Sequence, residues 1–407
     1  MNKSKIELLA PAGDREKLET ALHFGADAVY FAGKNYGLRA FGTNFENESI
    51  KDTMNYIHSY RKKGYVTLNV YARHNDFDGL KEYVQSLVDA KVDAVIISDF
   101  GIFSFVHENF PNLPIHISTQ ANTTNAFAAK AWHKLGAERV VLARELTIDE
   151  IKNISKENPT LELEAFVHGA MCISYSGRCL LSNYLTGRDS NHGECVQACR
   201  WNYCIEEETR PGEKFSLEED ERGTYIFNSK DLCLINYIEQ IYDAGIYSFK
   251  IEGRMKSPYY VATVINAYRR AIDMMFDAKQ KGEKFIVPEE LKNELLKASH
   301  RKYTTGFMFK DGNVTQNYDS AIQEQDSKFM AIVKKVENGK VLVEQRNKFA
   351  VGDTLEILSP TNSFNKTISI NKIIDESGTL INEAKNVQQL VWLETDIPLE
   401  VGDILRK

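Results

Sequence analysis

The sequence predicts an α/β chain: a TIM-like (β/α) barrel carrying a cysteine-rich insertion, followed by a small C-terminal all-β barrel. Three observations point there. Eight short apolar runs alternate with amphipathic, helix-length segments as far as Ile251. Most of the cysteines crowd between the seventh run and the eighth. From about Phe329 the apolar period drops to two. A doubly wound sheet is the alternative for the first part.

In order, the runs are Ile6 to Ala10, Ala28 to Ala32, Val66 to Val70, Ala94 to Ser98, Ile115 to Ser118, Val140 to Ala143, Leu163 to Val167 and Ser248 to Ile251. Each is short and mostly apolar, as strands buried on both faces of a parallel sheet are. Between them, Arg15 to Phe24, Asn47 to Lys63, Leu80 to Ala90, Asn125 to Leu135 and Ile148 to Ser155 carry the helical period, the first closed by Gly25. The barrel with its insertion is expected over residues 1–257, the insertion spanning about 169–240. A helical connector is expected over 258–326, with helices at Tyr259 to Ala278 and Pro288 to Ser299, and a β domain over 327–407. Six strands are expected in that last domain, with Asn338-Gly339 marking a hairpin.

A TIM-like barrel places its chemistry at the C-terminal ends of its strands. Gly13, Asn69, Asp99, Gln120, Arg144, Glu145, His168 and Glu252 all close or follow a predicted strand and should converge on one rim. Of these, His168, Glu145, Asp99 and Glu252 are the candidate catalytic groups, able to exchange protons from one face, although any of them can equally serve as an ion-pair partner or loop-ordering acceptor. Glu164 is a further candidate carboxylate. The insertion follows the seventh strand directly and should sit over the barrel mouth.

The chain has six cysteines, five of them between Cys172 and Cys204, with Cys233 close behind. Cys172 and Cys179 form one pair and Cys195 and Cys199 another, and two thiolate pairs can close on one metal centre. The first interval is wider than the short spacings of structural zinc sites. An iron–sulfur cubane tolerates looser spacing. Buried free thiols and a disulfide set are the other readings.

Lys and Arg total 50 against 57 Asp and Glu, a net charge of −7, so nothing attracts nucleic acid to the molecule as a whole. Any RNA site must be local. A strip of Lys256, Arg269, Arg270, Arg301 and Lys302, with Tyr303 available for stacking, is the expected contact. The N-terminus meets charge and a proline before a signal-length apolar core develops, and no apolar run approaches a membrane span, so the expected location is cytoplasmic with no membrane partner. For peptidase chemistry there is neither a His-Glu-x-x-His helix nor a Gly-x-Ser-x-Gly elbow.

The stretch Glu164-Ala-Phe-Val-His-Gly-Ala-Met-Cys172, with Gly177-Arg-Cys179 and Ser182, resembles the signature of the U32 peptidase family. The resemblance extends to Glu7-Leu-Leu-Ala-Pro-Ala-Gly13, Gly25-Ala-Asp-Ala-Val-Tyr30, Lys250-Ile-Glu-Gly-Arg254 and the tail. Gly193 to Tyr203 and the C-terminal extension make the chain most similar to the family's tRNA-hydroxylating branch. That resemblance implies an oxygen-independent hydroxylase of the tRNA wobble uridine, with a 4Fe-4S cluster and prephenate as co-substrate. Cys172, Cys179, Cys195 and Cys199 are the expected ligands, Cys233 being the rival for the fourth place. Arg39, Arg144 and Arg254 are expected to bind substrate, with Arg301 and Lys302 contacting the anticodon region of tRNA. A paralogous protein is a candidate partner. A collagenase-like peptidase, as the family was first named, is the alternative.

Overall fold

A computed structural model describes residues 6–34, 36–37, 44–172, 174–175, 178–201, 219–220, 223–224, 230–309, 324–337 and 339–407. Its first part is the expected barrel. Seven parallel strands follow in sequence: β1 (Glu7–Pro11), β2 (Ala28–Phe31), β3 (Lys63–Leu68), β4 (Ala94–Ile97), β5 (Ile115–Ile117), β6 (Arg139–Val141) and β7 (Glu162–Ala170). After a short strand β8 (Asp231–Cys233), β9 (Ser248–Ile251) pairs in parallel with both β7 and β1 and closes the cylinder. The eight barrel strands coincide with the eight apolar runs, and the largest shifts are in β3, which begins at the exposed Lys63 rather than at Val66, and in β7, which runs on to Ala170 rather than ending at Val167.

The outer helices are α1 (Arg15–His23), α2 (Ile50–Ser59), α3 (Leu80–Asp89), α4 (Phe100–Asn109), α5 (Ala126–Lys134) and α6 (Ile148–Glu157), with α7 (Leu181–Thr186) in the insertion and α8 (Ile238–Asp243) before β9. Their starts are written locally. Asp14 caps α1 by accepting from the Lys17 N–H, and Thr147 and Glu150 form a reciprocal capping box on α6. The helix α4 has no sequence counterpart above, because Phe-Gly-Ile-Phe-Ser-Phe-Val is apolar nearly all round and lacks a one-sided period.

The long helix α9 (Pro258–Lys281) corrects the expected connector. It starts on a Ser257 cap with proline at its first position, ends at a left-handed Gly282, and buries thirteen of its residues against the barrel core. A helix with that much apolar surface cannot stand as a linker, and it packs against α1 and β1 as part of the barrel's outer ring. After it come α10 (Glu289–Leu296) and β10 (Tyr303–Thr304), which adds to β8.

The C-terminal domain is all-β, as expected, in one curled antiparallel sheet of eight strands beside a small two-stranded pair, Phe349–Ala350 with Glu383–Ala384. The sheet's strands are β11 (Phe329–Glu337), β12 (Lys340–Gln345), β13 (Thr354–Leu358), β14 (Thr367–Ser369), β15 (Ile373–Asp375), β16 (Leu380–Ile381), β17 (Leu390–Glu394) and β18 (Ile404–Arg406). They run in the order β14-β13-β18-β11-β12-β17-β15-β16, and among the described residues no pairing joins the two edges. The strands β15 and β16 are too short to show a period of two in the sequence. This sheet keeps its own core, while Ile332, Leu358 and Ile404 join the barrel core and bind the two parts together.

Candidate active site at the barrel mouth

The barrel interior is charged rather than purely apolar. Arg139, 1% exposed, reaches Glu7 at 2.6 Å, Glu162 at 2.8 Å and Glu164 at 3.0 Å. Glu164 in turn accepts from Lys250 at 2.7 Å. Burial opposes ionisation of Glu164, but the Lys250 and Arg139 cations outweigh it and hold the carboxyl below its usual range. Burial likewise opposes the charge on Arg139, and Glu7, Tyr65 and Glu164 overcome it, so the guanidinium stays protonated. Glu164 is therefore committed to this internal network and does not act as a free acid.

Above the network, at the C-terminal ends of the strands, opens a cavity of about 200 Å³. Its wall takes Tyr30 from β2, Thr67 from β3, Gln120 beyond β5, Arg144 beyond β6, and Lys250, Glu252 and Arg254 from β9 and its continuation. Its roof is the insertion, which contributes Cys172, Cys179, Cys195 and Cys199. The two thiol pairs thus face the same space. The loop after β3 ties the insertion down: Arg73 pairs with Asp189 at 2.9 Å, Asp76 meets His192 at 3.1 Å, and Ser190 Oγ and Asn191 Nδ2 both donate to the Cys179 carbonyl.

Cys172 feels the electrostatic influence of Cys179, Cys195 and Arg144; burial raises its thiol pKa, opposed by the Ser174 backbone and by the guanidinium. The Gln197 N–H donates to Cys195 Sγ at 3.4 Å. A single tetrahedral ion would gather its sulfurs about 3.8 Å apart, since each stands about 2.3 Å from the metal. Among the described residues no three His, Cys, Asp or Glu side chains converge that way. The four thiols that line this one cavity form a donor set that an iron–sulfur cluster, taking one sulfur at each of several irons, could use. Cys204 lies outside the described residues. Cys233 does not face this cavity: it sits on β8 opposite His168 and lines a different one, and burial pushes its thiol up to about 11.

Arg144 is partly buried, with its guanidinium 3.8 Å above the Phe166 ring and Nη1 donating to the Ala170 carbonyl at 2.7 Å. Its Nε finds no partner, and among the described residues no carboxylate pairs with it. Burial lowers its pKa, against the pull of Glu252, Tyr30 and Cys172. Arg254, 6% exposed, points Nη1 toward Thr67 Oγ1 at 3.4 Å. Gly13 makes that placement possible, because a Cβ there would lie 2.2 Å from the Arg254 carbonyl oxygen. The opening Ala-Pro-Ala-Gly13 run is thus the bed of the Arg254 loop.

Glu252 is held from three sides. Tyr30 Oη donates to its Oε2 at 3.2 Å, its amide donates to the His168 carbonyl at 2.9 Å, and its carbonyl accepts from Tyr260 Oη at 3.1 Å. Burial, then the Glu252 charge, raises the Tyr30 hydroxyl pKa well above its usual value, so Tyr30 stays protonated as a donor. Tyr30 and Lys250 were not among the predicted site residues. Lysine inside the otherwise apolar Ser248-Phe-Lys-Ile251 strand was a readable signal, whereas Tyr30 reads as ordinary core.

Other predicted residues are elsewhere. His168 is 1% exposed, ringed by Tyr260, Tyr268 and Tyr303, and outside the cavity lining; burial first, then His300 and Lys256, lower its pKa to about 3. It is neutral packing, because the carbonyl rather than the ring faces Glu252. Asp99 caps α4 by accepting from the Ile102 N–H, and Glu145, raised by burial, also lies off the cavity lining. Arg39 lies outside the described residues.

Most cations of the expected basic strip meet partners inside the fold. Arg301 is 4% exposed and pairs with Asp231 at 3.2 Å, Arg269 pairs with Asp27 at 2.9 Å, and Arg270 donates to the Ser359 and Thr361 carbonyls of the C-terminal domain. Lys256 donates to the Ser299 carbonyl and Lys302 lends its own carbonyl to Asp231 N–H, while Tyr303 spends its hydroxyl on Leu295. Arg301 is buried, and Lys256, Arg269 and Arg270 are partly buried where acids and carbonyls from distant elements meet them, whereas Lys302 is exposed.

The sequence profile of Peptidase family U32 matches residues 13–318, and that of the Peptidase family U32 C-terminal domain matches 325–406. The chain belongs to peptidase family U32. Among U32 relatives it is 39% identical over 406 residues to tRNA hydroxylation protein P1 of Bacillus subtilis (strain 168), covering 99% of this chain and 95% of that one. To tRNA hydroxylation protein P of Escherichia coli (strain K12) it is 38% identical over 443 aligned positions, covering 98% and 95%. To a Porphyromonas gingivalis U32 protein named Collagenase it is 33% identical over 284 positions, covering 67% of each. No helix of this U32 chain is long and apolar enough to cross a membrane among the described residues.

Proposed function

We propose that this U32 protein is an iron–sulfur enzyme that hydroxylates the wobble uridine of tRNA to 5-hydroxyuridine, with prephenate as co-substrate. The observation that carries the reading is the shared cavity: Cys172, Cys179, Cys195 and Cys199 roof the same space whose wall holds Arg144 and Arg254. The names of the Bacillus subtilis and Escherichia coli relatives support the same direction.

The four thiols would hold a 4Fe-4S cluster, which when bound supplies one-electron chemistry beside the substrate. Arg144 and Arg254 present planar donor forks to a dicarboxylate, the geometry that a compound with two carboxylates needs. Glu252, fixed by Tyr30, Tyr260 and the His168 carbonyl, is placed to take or return a proton at Oε2. The insertion covers the cavity from above, and the Glu164 to Lys250 pair keeps a charged floor in place below.

Iron and sulfide analysis of anaerobically purified protein, together with nucleosides from tRNA of a deletion strain, tests the reading. Loss of five-position hydroxyuridine derivatives, not restored by Cys172→Ala, is the expected result in a strain grown anaerobically and stripped of near relatives. The name of the Porphyromonas gingivalis relative favours a second reading, a peptidase. That reading needs an activated nucleophile, yet no histidine lines the cavity among the described residues. Normal wobble-uridine modification combined with protein cleavage by iron-free enzyme would decide for it.

A further inference from the structure

Seven aromatic side chains are substantially exposed among the described residues: Tyr60, Phe100, Phe127, Tyr175, Tyr184, Trp201 and Phe307. Their distribution is one-sided. Phe100 and Phe127 occupy the first turns of α4 and α5, which in a (β/α) barrel lie at the C-terminal face of the strands. Tyr175, Tyr184 and Trp201 belong to the insertion that roofs the cavity, and Phe307 adjoins the start of α6, whose first N–H donates to the Met308 carbonyl. Tyr60, capping the far end of α2, is the one at the opposite pole.

Phe127 at 85% exposure and Tyr184 at 87% are the extremes, each offering nearly a whole ring to solvent. A folded chain gains nothing from leaving such area wet, so concentration on one face marks an interaction surface. Cations are interleaved with the rings: Arg178 and Arg188 are exposed in the same insertion, and the Arg178 guanidinium lies 5.1 Å from the Tyr71 ring centroid. Rings that can stack, alternating with arginines, fit single-stranded nucleic acid, whose unpaired bases offer flat faces beside phosphates. With most cations of the predicted strip engaged by partners within the fold, this face is also where substrate must approach the cavity.

We propose that the aromatic face around the barrel mouth receives the unstacked bases of an RNA loop, with Phe127 and Tyr184 as stacking platforms and Arg178 and Arg188 on the flanking phosphates. This rests on the tRNA reading above and names where that substrate docks. It assigns binding to the catalytic face rather than to the C-terminal sheet or the 256–303 segment.

Fluorescence anisotropy of anaerobically prepared, iron-loaded protein tests it with two probes: a labelled anticodon stem-loop RNA, and a fully paired RNA hairpin of equal length. Stem-loop binding should be the tighter, and Tyr184→Ala and Phe127→Ala should each weaken it about tenfold while leaving the hairpin unchanged, because a stacked base contributes about one decade of affinity. Tyr184→Phe should restore binding, since the ring and not the hydroxyl does the stacking. Arg178→Gln with Arg188→Gln should flatten the salt dependence for the stem-loop. Wild-type affinity in both alanine variants, with unchanged iron content, overturns the proposal. Ring-dependent binding of denatured gelatin that the stem-loop does not displace also overturns it, and would make the face a polypeptide site. Ring-dependent stem-loop binding alongside normal hydroxyuridine in the deletion strain would defeat the hydroxylase reading while leaving this face an RNA site.

Discussion

Glu252 and His168 stand on adjacent, paired strands, yet their surroundings divide their roles. Glu252 turns its carboxylate into the cavity, while His168 turns its ring into a cage of three tyrosines where neither nitrogen finds a partner among the described residues. His168→Phe should therefore fold, with stability at pH 7 equal to or above the parent, since a buried unmet N–H costs about 1 to 3 kcal/mol. The sign of the pH effect follows from the depressed pKa. An imidazole near 6.5 when unfolded and about 3 when folded binds a proton preferentially in the unfolded state between those values. Stability is thus fully present above about pH 6.5 and is lost as pH falls toward 3, at up to about 1.4 kcal/mol per pH unit for one proton. His116, also depressed by burial, adds to the same slope. Urea unfolding at pH 7 and pH 5 should show a smaller loss in His168→Phe, and an unchanged loss would put the proton elsewhere. At the cysteines the two cavities make a sharper contrast. Cys199→Ser should lower bound iron and Cys233→Ser should retain it, measured after identical anaerobic reconstitution, because only Cys199 of the two faces the other three thiols.

Among the elements, β7 does two jobs. Its first half pairs with β6 and β9 inside the barrel, and its last residues, His168 to Ala170, pair with β8 outside it. Gly169 is the crossing point, with φ at +112° and Glu252 O only 2.6 Å from where a Cβ would stand. Gly169→Ala should cost more than about 1 kcal/mol, through left-handed strain together with displacement of the β9 continuation. On the proposed function, turnover should fall by more than the lost stability explains, since Glu252 and Arg254 move with that backbone. A variant with parent stability and parent turnover would show that the crossing is looser than drawn. Here the sequence was informative only in part. The apolar run of β7 and the cysteines that follow it were legible, because burial on both faces imprints a continuous apolar signature. The split of β7 between barrel and β8 was not, because it depends on which segment, some sixty positions later, returns to the edge.

For the whole molecule, the C-terminal sheet is locked to the barrel by a buried pair. Arg406 and Glu294 are both fully buried, Arg406 Nη2 meets Glu294 Oε2 at 2.8 Å, and Glu356 and Asn365 take the remaining donors. The acids raise the Arg406 pKa against the opposing effect of burial. Glu294→Gln leaves a buried cation short of its partner and should destabilise by about 3 to 5 kcal/mol, whereas Glu294→Leu with Arg406→Leu should lose less, because both desolvation penalties vanish together. Differential scanning calorimetry reads this out: the single variant should split the melt into two transitions, and one intact transition at parent temperature would mean that the apolar contacts of Ile332, Leu358 and Ile404 suffice.

By itself the sequence determined the barrel, the all-β tail, the insertion point after β7 and the grouping of four cysteines. All of these are carried by local periodicity or by position along the chain, which survive without coordinates. Tertiary structure decided which charged side chains are free to act. Arg144 and Arg301 are equally plausible anion ligands as letters, yet one lines an open cavity with an Nε unmet among the described residues and the other is spent on Asp231. Tyr30 and Glu252 meet through 222 positions of chain, and Arg139 gathers acids from β1 and β7. Pairing across such separations leaves no periodic trace, because an ion pair or hydrogen bond constrains only two side chains and nothing in between.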